Sequence, residues 1–240
     1  MPEAPPRVAG ALVLFAKEPT PGKVKTRMTP PFSPEQAAEL YECLLQDTLA
    51  ASLRMAEVHR LHFVIAIDPP EALASFQSRC PEGTHIVVQR GKTLGERLAN
   101  VAEELTQEGF SPLLIRGSDS PGLSEKDVAE GLRALIEKDL VFCPDRDGGY
   151  NLIGLNRSCA TLCRLQLSTG RVLFETLSVA ASEGLSVELL PQGFDLDCVE
   201  DLRASEAFFS ADDSRQSCPL TRAYLEREEI QALVAEAPSA

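Results

Sequence analysis

Short apolar runs alternate with longer amphipathic stretches along this chain, and that alternation constrains its fold more than any other feature. Runs typical of buried strands are expected at residues 8–16, 61–67, 85–89, 112–116, 140–143, 150–155 and 187–190. Helices are expected at residues 33–55, 71–78, 94–105, from Ser124 onward, and at 171–182. Strands that alternate with helices predict an α/β fold, with three α/β/α layers and a mainly parallel central sheet.

Two helix starts are marked by capping signals. Ser33 precedes Pro34 and stands three residues before Gln36, which predicts a capping box at the first helix. Ser124 stands three residues before Asp127 and predicts a second helix start. At 240 residues we expect one domain over residues 1–210, followed by a polar linker and a helix over residues 211–240.

The overall charge argues against several classes of partner. The chain has 23 basic and 36 acidic residues and a net charge of -13, which repels nucleic acid and anionic membranes at long range. Its seven cysteines form no C-x-x-C pair, and we find neither a signal-peptide pattern nor an apolar run long enough to span a membrane. The sequence predicts a cytoplasmic protein that neither binds nucleic acid nor spans a membrane.

A basic loop follows the first predicted strand in this acidic chain. It carries Lys17, Lys23, Lys25 and Arg27, and Gly22 with two prolines shapes its backbone. Lysine and arginine bind phosphate, so this loop is a candidate site for a phosphorylated small molecule. The alternative is a surface loop whose lysines are solvated.

Asp119 follows the fourth predicted strand within Gly117-Ser118-Asp119-Ser120-Pro121. A carboxylate at a strand end, between small residues, is suited to Mg²⁺ or Mn²⁺, which take oxygen ligands and often only one or two carboxylates plus phosphate oxygens. A turn or helix-capping role for this aspartate is equally compatible with the pattern.

Further carboxylates occur in two later segments. Asp195 and Asp197 point to the same side of an extended chain, and Asp197 is the better metal-ligand candidate because it stands at the strand-to-helix junction. Asp147 lies in Asp147-Gly148-Gly149-Tyr150, a segment that either contacts a sugar or acceptor or forms a tight hairpin. Because ligands of such sheets bind beyond the carboxyl ends of the strands, the basic loop, the segment of residues 118–120 and the segment of residues 195–197 are expected to converge at one edge.

Arg97, in Leu94-Gly95-Glu96-Arg97, is a candidate phosphate contact or a solvated helix residue. Other nucleotide-binding and hydrolytic signatures are absent from the sequence. Val24 follows Gly22-Lys23 where a P-loop has Ser or Thr, and neither G-x-G-x-x-G after the first strand nor G-x-S-x-G occurs.

These motifs in this order resemble the DUF2064 family, also described as selenodomain-associated transferase 1. The resemblance covers roughly residues 12–202 and rests on Phe15-to-Arg27, Leu94-to-Arg97, Gly117-to-Pro121, Asp147-to-Tyr150 and Asp195-to-Asp197. It implies a GT-A-like fold of the nucleotide-diphospho-sugar transferase superfamily, related to the molybdenum-cofactor and 2-phospholactate guanylyltransferases. The chain departs from the family pattern at Thr93, where members often have Asp, and at Cys198-Val199, where they often have Thr-Pro.

The resemblance also implies roles for individual residues. The first loop would wrap the nucleotide, with Lys17, Lys25 and Arg27 near its phosphates. Gly22 and Arg97 are further candidates for nucleotide binding, from their own segments. Asp119 and Asp197 would hold Mg²⁺ or Mn²⁺, and Asp119, Asp147 and Lys25 are the candidate catalytic residues.

The expected function is a metal-dependent transferase that uses a nucleotide-activated donor and a small-molecule acceptor. Glycosyl transfer from a nucleotide-sugar is slightly favoured, because the Asp147-to-Tyr150 segment suits a hydroxyl acceptor. Transfer of a nucleotidyl group from a nucleoside triphosphate, with release of pyrophosphate, is the first alternative. A nucleotide-binding module without turnover is the second.

Overall fold

A seven-stranded sheet forms the centre of the protein, whose computed structural model describes residues 10–156 and 171–237. The strands are β1 Ala11–Lys17, β2 His62–Asp68, β3 His85–Val88, β4 Leu113–Gly117, β5 Leu140–Pro144, β6 Tyr150–Leu155 and β7 Val187–Leu189. Their order in space is β3-β2-β1-β4-β6-β5-β7. All neighbouring pairs are parallel except β4–β6 and β5–β6, so the prediction of a mainly parallel sheet is confirmed.

Helices cover both faces of the sheet. They are α1 Pro34–His59, α2 Leu73–Arg79, α3 Leu94–Gln107, α4 Glu125–Ala134, α5 Val172–Ser182, α6 Val199–Ala204, α7 Glu206–Ser210, α8 Asp212–Ser217, α9 Pro219–Leu225 and α10 Glu228–Glu236. Val13 and Phe15 pack with α3 on one face, whereas Leu14 and Ala16 pack with α1 and α2 on the other. Because β1 is buried on both faces, its sequence is continuously apolar, as in other parallel sheets.

The helix starts follow local capping chemistry. Ser33 and Gln36 form the predicted capping box at α1, and Ser124 and Asp127 form the one at α4. The predicted end of α1 near residue 55 was too early. The helix continues to His59 and ends at Arg60, whose left-handed backbone allows its N–H to reach the carbonyls of the last turn.

The C-terminal helices pack against α1. The Asp47 carboxylate accepts the backbone N–H groups of Leu220 (3.2 Å) and Thr221 (2.7 Å) at the start of α9, and the Tyr224 hydroxyl donates to the Gln36 carbonyl at 2.8 Å. The polar stretch expected to act as a linker contains α8. The single domain over residues 1–210 stays a prediction.

Throughout residues 10–156 and 171–237, every helix is too short or too polar to cross a membrane.

Candidate active site

The three polar segments expected to converge do meet, at the carboxyl edge of the sheet. The basic loop continues from β1, residues 118–120 continue from β4, and residues 195–197 lie beside them, with the Leu196 N–H donating to the Asp119 carbonyl at 3.1 Å. They border an open cavity of about 790 Å³. Of the candidate residues, the cavity is lined by Lys17, Lys25, Arg27, Asp119, Asp147 and Asp197.

Lys25 joins the basic loop to the carboxylates. Its Nζ lies 2.8 Å from Asp119 Oδ1 and 3.0 Å from Asp197 Oδ1, and its side chain is 3% exposed. Its backbone is left-handed (φ 47°, ψ 37°), an uncommon conformation outside glycine. Lys23 and Arg27, which line the cavity two positions to either side, keep their side chains exposed while Lys25 points inward.

The loop is held in place by apolar anchors and one tyrosine. Val24 and Met28 are buried in the apolar clusters around α1. The Tyr41 hydroxyl from α1 accepts the Lys17 N–H at 2.9 Å and shares a 2.7 Å hydrogen bond with Ser118 Oγ. Tyr41 therefore connects the end of β1 to the turn that carries Asp119.

The ion pairs keep this cluster charged. Burial alone would lower the pKa of Lys25, but attraction from Asp119 and Asp197 outweighs it and raises the pKa. Burial would raise the pKa of Asp197, but Lys25, with help from Arg27 at 3.3 Å, lowers it. Lysine and carboxylate thus stabilise each other's ionised forms.

The chemistry of Asp119 and Asp197 fits a hard divalent cation. Both carboxylates converge on one cationic nitrogen, and each side chain is 35% exposed, so water or phosphate can complete a coordination shell. The described residues contain no cluster of three or more His, Cys, Asp or Glu side chains suited to a metal. Two carboxylates plus phosphate oxygens are a set that Mg²⁺ commonly takes.

Asp147 lies both in a tight turn and in the wall of the cavity. It lies in the turn between the antiparallel strands β5 and β6, where its Oδ1 accepts the Gly149 N–H at 2.8 Å. Asp147, Gly149 and Tyr150 also line the cavity. A hairpin turn can therefore present a carboxylate to a ligand here.

Buried polar side chains hold the turn that carries Asp119. The Arg116 guanidinium donates to the Ser120 carbonyl at 2.6 Å, and burial lowers its pKa to about 10. Asp195 accepts a hydrogen bond from Ser120, and burial, followed by repulsion from Asp145 and Asp119, raises its pKa to about 8. Asp195 and Arg116 therefore position the turn around Asp119.

Two candidate residues lie outside the cavity wall. Arg97 Nη1 donates to Asp68 Oδ2 at 2.6 Å, and its Nε donates to the Gly91 carbonyl at 3.1 Å. Gly22 has a left-handed φ of 72° at the exposed tip of the basic loop. Nucleotide binding by these two residues stays a prediction.

Both departures from the family pattern have local structural roles. Thr93 caps α3 and forms a capping box with Glu96. Asp201 Oδ2 accepts the N–H groups of Asp197 (2.9 Å) and Cys198 (2.8 Å) at the start of α6. The turn behind Asp197 is thus closed without the Thr-Pro sequence.

The sequence analysis did not identify several residues of the cavity wall. Gln89, Asn151 and Tyr41 line the cavity although none belongs to a recognised motif. A polar residue directly after an apolar strand, as Gln89 is after β3, is the one signal that could have indicated such a position.

The pattern of a family described as "Uncharacterized protein conserved in bacteria (DUF2064)" matches residues 48–169. This chain belongs to that family. The match confirms the resemblance inferred from its motifs.

Two named relatives are guanylyltransferases. The chain is 27% identical over 181 residues to the 2-phospho-L-lactate guanylyltransferase of Methanothermobacter thermautotrophicus, covering 74% of this chain and 76% of the relative. It is 29% identical over 184 residues to the phosphoenolpyruvate guanylyltransferase of Sphaerobacter thermophilus, covering 74% and 84%.

A solved structure resembles nearly the whole chain. It is a crystal structure from Desulfovibrio desulfuricans G20 of a protein assigned as a nucleotide-diphospho-sugar transferase, with a TM-score of 0.84 and 28% identity. The similarity covers 95% of this chain and 97% of that one. Together these similarities confirm the predicted transferase class and the predicted nucleotide-diphospho-sugar transferase fold.

Proposed function

We propose that this protein is a nucleotidyltransferase that transfers a nucleoside monophosphate from a nucleoside triphosphate to a small phosphorylated acceptor. The observation that carries the proposal is the contact of Lys25 with both Asp119 and Asp197 inside a cavity bordered by further cations. Such a site combines charges that bind a polyphosphate with carboxylates that bind its metal.

The unpaired cations of the loop support a triphosphate ligand. Within the described ranges, Lys17 and Lys23 form no ion pair, and both line the cavity. Arg27 is 63% exposed and reaches Asp197 along only one edge of its guanidinium. These three side chains can therefore bind phosphate oxygens without first breaking a strong internal interaction.

The reaction needs little covalent chemistry from the protein. An acceptor phosphate oxygen would attack the α-phosphorus of the donor, and the bond from that phosphorus to the bridging oxygen would break to release pyrophosphate. Lys17, Lys25 and Arg27 would stabilise the charge on the phosphates, and Asp119 and Asp197 would hold Mg²⁺ or Mn²⁺. The bound metal would supply Lewis-acid stabilisation of the phosphoryl oxygens.

The named relatives support nucleotidyl transfer over the glycosyl transfer that the sequence slightly favoured. Both are guanylyltransferases and align with about three quarters of this chain. We therefore propose GTP as the first donor to test.

Glycosyl transfer from a nucleotide-sugar is the second candidate. It is favoured by the Asp147 carboxylate, which lines the cavity beside Gly149 and Tyr150 and would orient an acceptor hydroxyl. The leaving group of that reaction would be a nucleoside diphosphate rather than pyrophosphate.

Product analysis tests these candidates. Purified protein would be incubated with GTP, or with nucleotide-sugars, in the presence of phospholactate or phosphoenolpyruvate and either Mg²⁺, Mn²⁺ or EDTA. Metal-dependent release of pyrophosphate would support the proposal, and release of a nucleoside diphosphate would support the glycosyl route. Nucleotide binding without either product for these and other phosphorylated acceptors would favour a binding module.

Direct metal binding provides an independent readout. Electron paramagnetic resonance can measure the fraction of Mn²⁺ that is bound to the protein in the presence of GTP. This bound fraction is expected to be lower in Asp119→Asn. A matched surface variant, Glu137→Gln, is exposed and outside the cavity wall, so it should bind Mn²⁺ normally. Equal binding by both variants would contradict the metal site.

A further inference from the structure

We propose that the Lys25 ammonium competes with the divalent cation for Asp119 and Asp197, so that the protein binds its metal together with a polyphosphate and not by itself. The inference rests on the proposed function, because it concerns how the same cavity couples its two ligands. It gives Lys25 two alternative sets of anionic partners, the carboxylates and the phosphates.

Lys25 lies where the two carboxylates converge. Its Nζ is 2.8 Å from Asp119 Oδ1 and 3.0 Å from Asp197 Oδ1, and its side chain is 3% exposed. Mg²⁺ binds carboxylate oxygens at about 2.1 Å, so an ion on Asp119 Oδ1 would lie within about 5 Å of this Nζ. Two cations so close together, one of them buried, repel each other. The metal and the ammonium therefore exclude each other from these oxygens.

The ion pair uses only part of the capacity of Asp119 as a ligand. The contact of Lys25 with Asp197 has the geometry of a hydrogen bond, whereas its contact with Asp119 is an ion pair only. Asp119 Oδ1 is buried and has no hydrogen-bond partner among the described residues. Its lone pairs are therefore available to a cation that replaces the ammonium.

The backbone of Lys25 is suited to a residue that changes partners. Its φ of 47° is left-handed, and in the described part of the chain only Arg60 shares a positive φ among the non-glycine residues. Arg60 ends α1, but Lys25 lies in a loop between the exposed side chains of Lys23 and Arg27. Such a conformation costs free energy that the surrounding contacts must offset. Loss of the carboxylates as partners would therefore release Lys25 from its inward direction.

The cavity provides the alternative partners. Lys17, Lys23 and Arg27 line its wall, so a polyphosphate bound there brings phosphate oxygens to the loop. The flexible four-carbon stem of Lys25 allows its ammonium to exchange a carboxylate for a phosphate oxygen. A metal ion without phosphate offers no such replacement and would leave a buried ammonium unpaired. Metal and polyphosphate should therefore each increase the affinity for the other.

Equilibrium dialysis against Mn²⁺ tests this coupling without measuring activity. The unmodified protein is expected to bind Mn²⁺ about tenfold more tightly, or better, with inorganic triphosphate than without it. Lys25→Met removes the ammonium and keeps the length of the side chain. Without triphosphate, this variant should bind Mn²⁺ about tenfold more tightly than the unmodified protein.

Lys23→Met is the matched control. Lys23 is exposed, lines the same cavity and forms no ion pair within the described ranges, so the variant removes an equal charge from the same loop. Its affinity for Mn²⁺ without triphosphate should change by less than about twofold, because solvent and salt screen an exposed charge. Lys25→Gln also removes the charge but keeps a donor for one carboxylate, and it supplies the same comparison if Lys25→Met does not fold.

Each contrary outcome has a distinct meaning. Equally tight Mn²⁺ binding by the unmodified protein with and without triphosphate would overturn the competition. It would also be overturned if the folded Lys25 variants bound Mn²⁺ no better than the unmodified protein, or if Lys23→Met gained as much affinity as they did. Failure of every protein to bind Mn²⁺, even with triphosphate, would overturn the metal site of the proposed function as well.

Discussion

Buried polar groups occur in two regions of this protein, and the two regions treat them differently. Where α9 meets α1, the Asp47 carboxylate is satisfied by two backbone N–H groups from the C-terminal segment, and only Thr221 Oγ1 beside it has no hydrogen-bond partner among the described residues. At the carboxyl edge of the sheet, Arg116 Nη1 and Asn151 Oδ1 are buried without a hydrogen-bond partner among the described residues. Lys25 there depends on two carboxylates that remain one-third exposed.

The difference separates polar groups that hold the fold from polar groups that are available to a ligand. A buried group whose partners are all internal stabilises one packing arrangement. A buried group with capacity left over is destabilising unless something else satisfies it. Changes at the carboxyl edge should therefore affect ligand binding more than stability, and changes at the α1–α9 contact should do the reverse.

The largest effect is expected from Asp119→Asn. The variant loses a carboxylate proposed to hold the metal at the phosphates, but Lys25 keeps Asp197 as a partner, so the fold should persist. Pyrophosphate release is expected to fall by about 10²–10³-fold, as measured by a coupled phosphate assay at saturating GTP and acceptor. Unchanged release alongside a normal Glu137→Gln control would rule out a catalytic role for Asp119.

Lys25→Met should affect both binding and stability. Removing the ammonium leaves Asp119 without its ion-pair partner and leaves Asp197 with only the 3.3 Å contact to Arg27. We expect weaker GTP binding. We also expect a loss of stability that is smaller than the loss of about 3–5 kcal/mol caused by removing one partner of a fully buried pair, because both carboxylates are partly exposed. Added Mn²⁺ should restore part of the melting temperature.

A variant as stable as the original protein in EDTA would contradict this account of Lys25. Restoration by Mn²⁺ but not by the same ionic strength of NaCl would separate specific binding from charge screening.

Asp47→Ala tests the other region. It leaves two N–H groups at the start of α9 without their acceptor, so unfolding free energy should fall by about 1–3 kcal/mol in urea denaturation. Nucleotide affinity should not change, since Asp47 is outside the cavity wall. Asp47→Asn keeps one acceptor oxygen and should be less destabilising; a large loss of GTP affinity in either variant would break the distinction between the regions.

The smallest effect is expected from Arg97→Gln. Arg97 is engaged with Asp68 and the Gly91 carbonyl outside the cavity wall, in a partly exposed ion pair that contributes about 0–1 kcal/mol. GTP affinity is therefore expected to stay within about twofold, given that small energy. In Arg27→Gln, by contrast, GTP affinity should fall. If Arg97→Gln weakened GTP binding more than Arg27→Gln did, Arg97 would again be a candidate phosphate contact.

Much of the fold was predictable because its signals are local. The strand positions follow from continuous apolar runs, and the starts of α1 and α4 follow from Ser33 and Ser124 with their capping partners. The end of α1 was misjudged because helix propagation through residues 56–59 depends on packing and on the Arg60 backbone rather than on an apolar stripe.

The candidate site was only partly predictable for the same reason. Asp119, Asp197 and Lys25 stand in recognisable motifs, and topology alone brings strand ends to one edge. Gln89, Tyr41 and Asn151 carry no motif, since their roles depend on neighbours distant in sequence.

By itself, the sequence determined the α/β class, the helix caps and the unusual basic loop, because hydrophobic periodicity, capping and charge are encoded over a few residues. Tertiary structure alone decided that Lys25 turns inward to two carboxylates while Arg97 pairs with Asp68. It also decided that the Gln89 amide is held by β1 and β2. Side-chain direction and hydrogen-bond partners depend on which segments the sheet brings within about 3 Å of each other, and no local pattern specifies that.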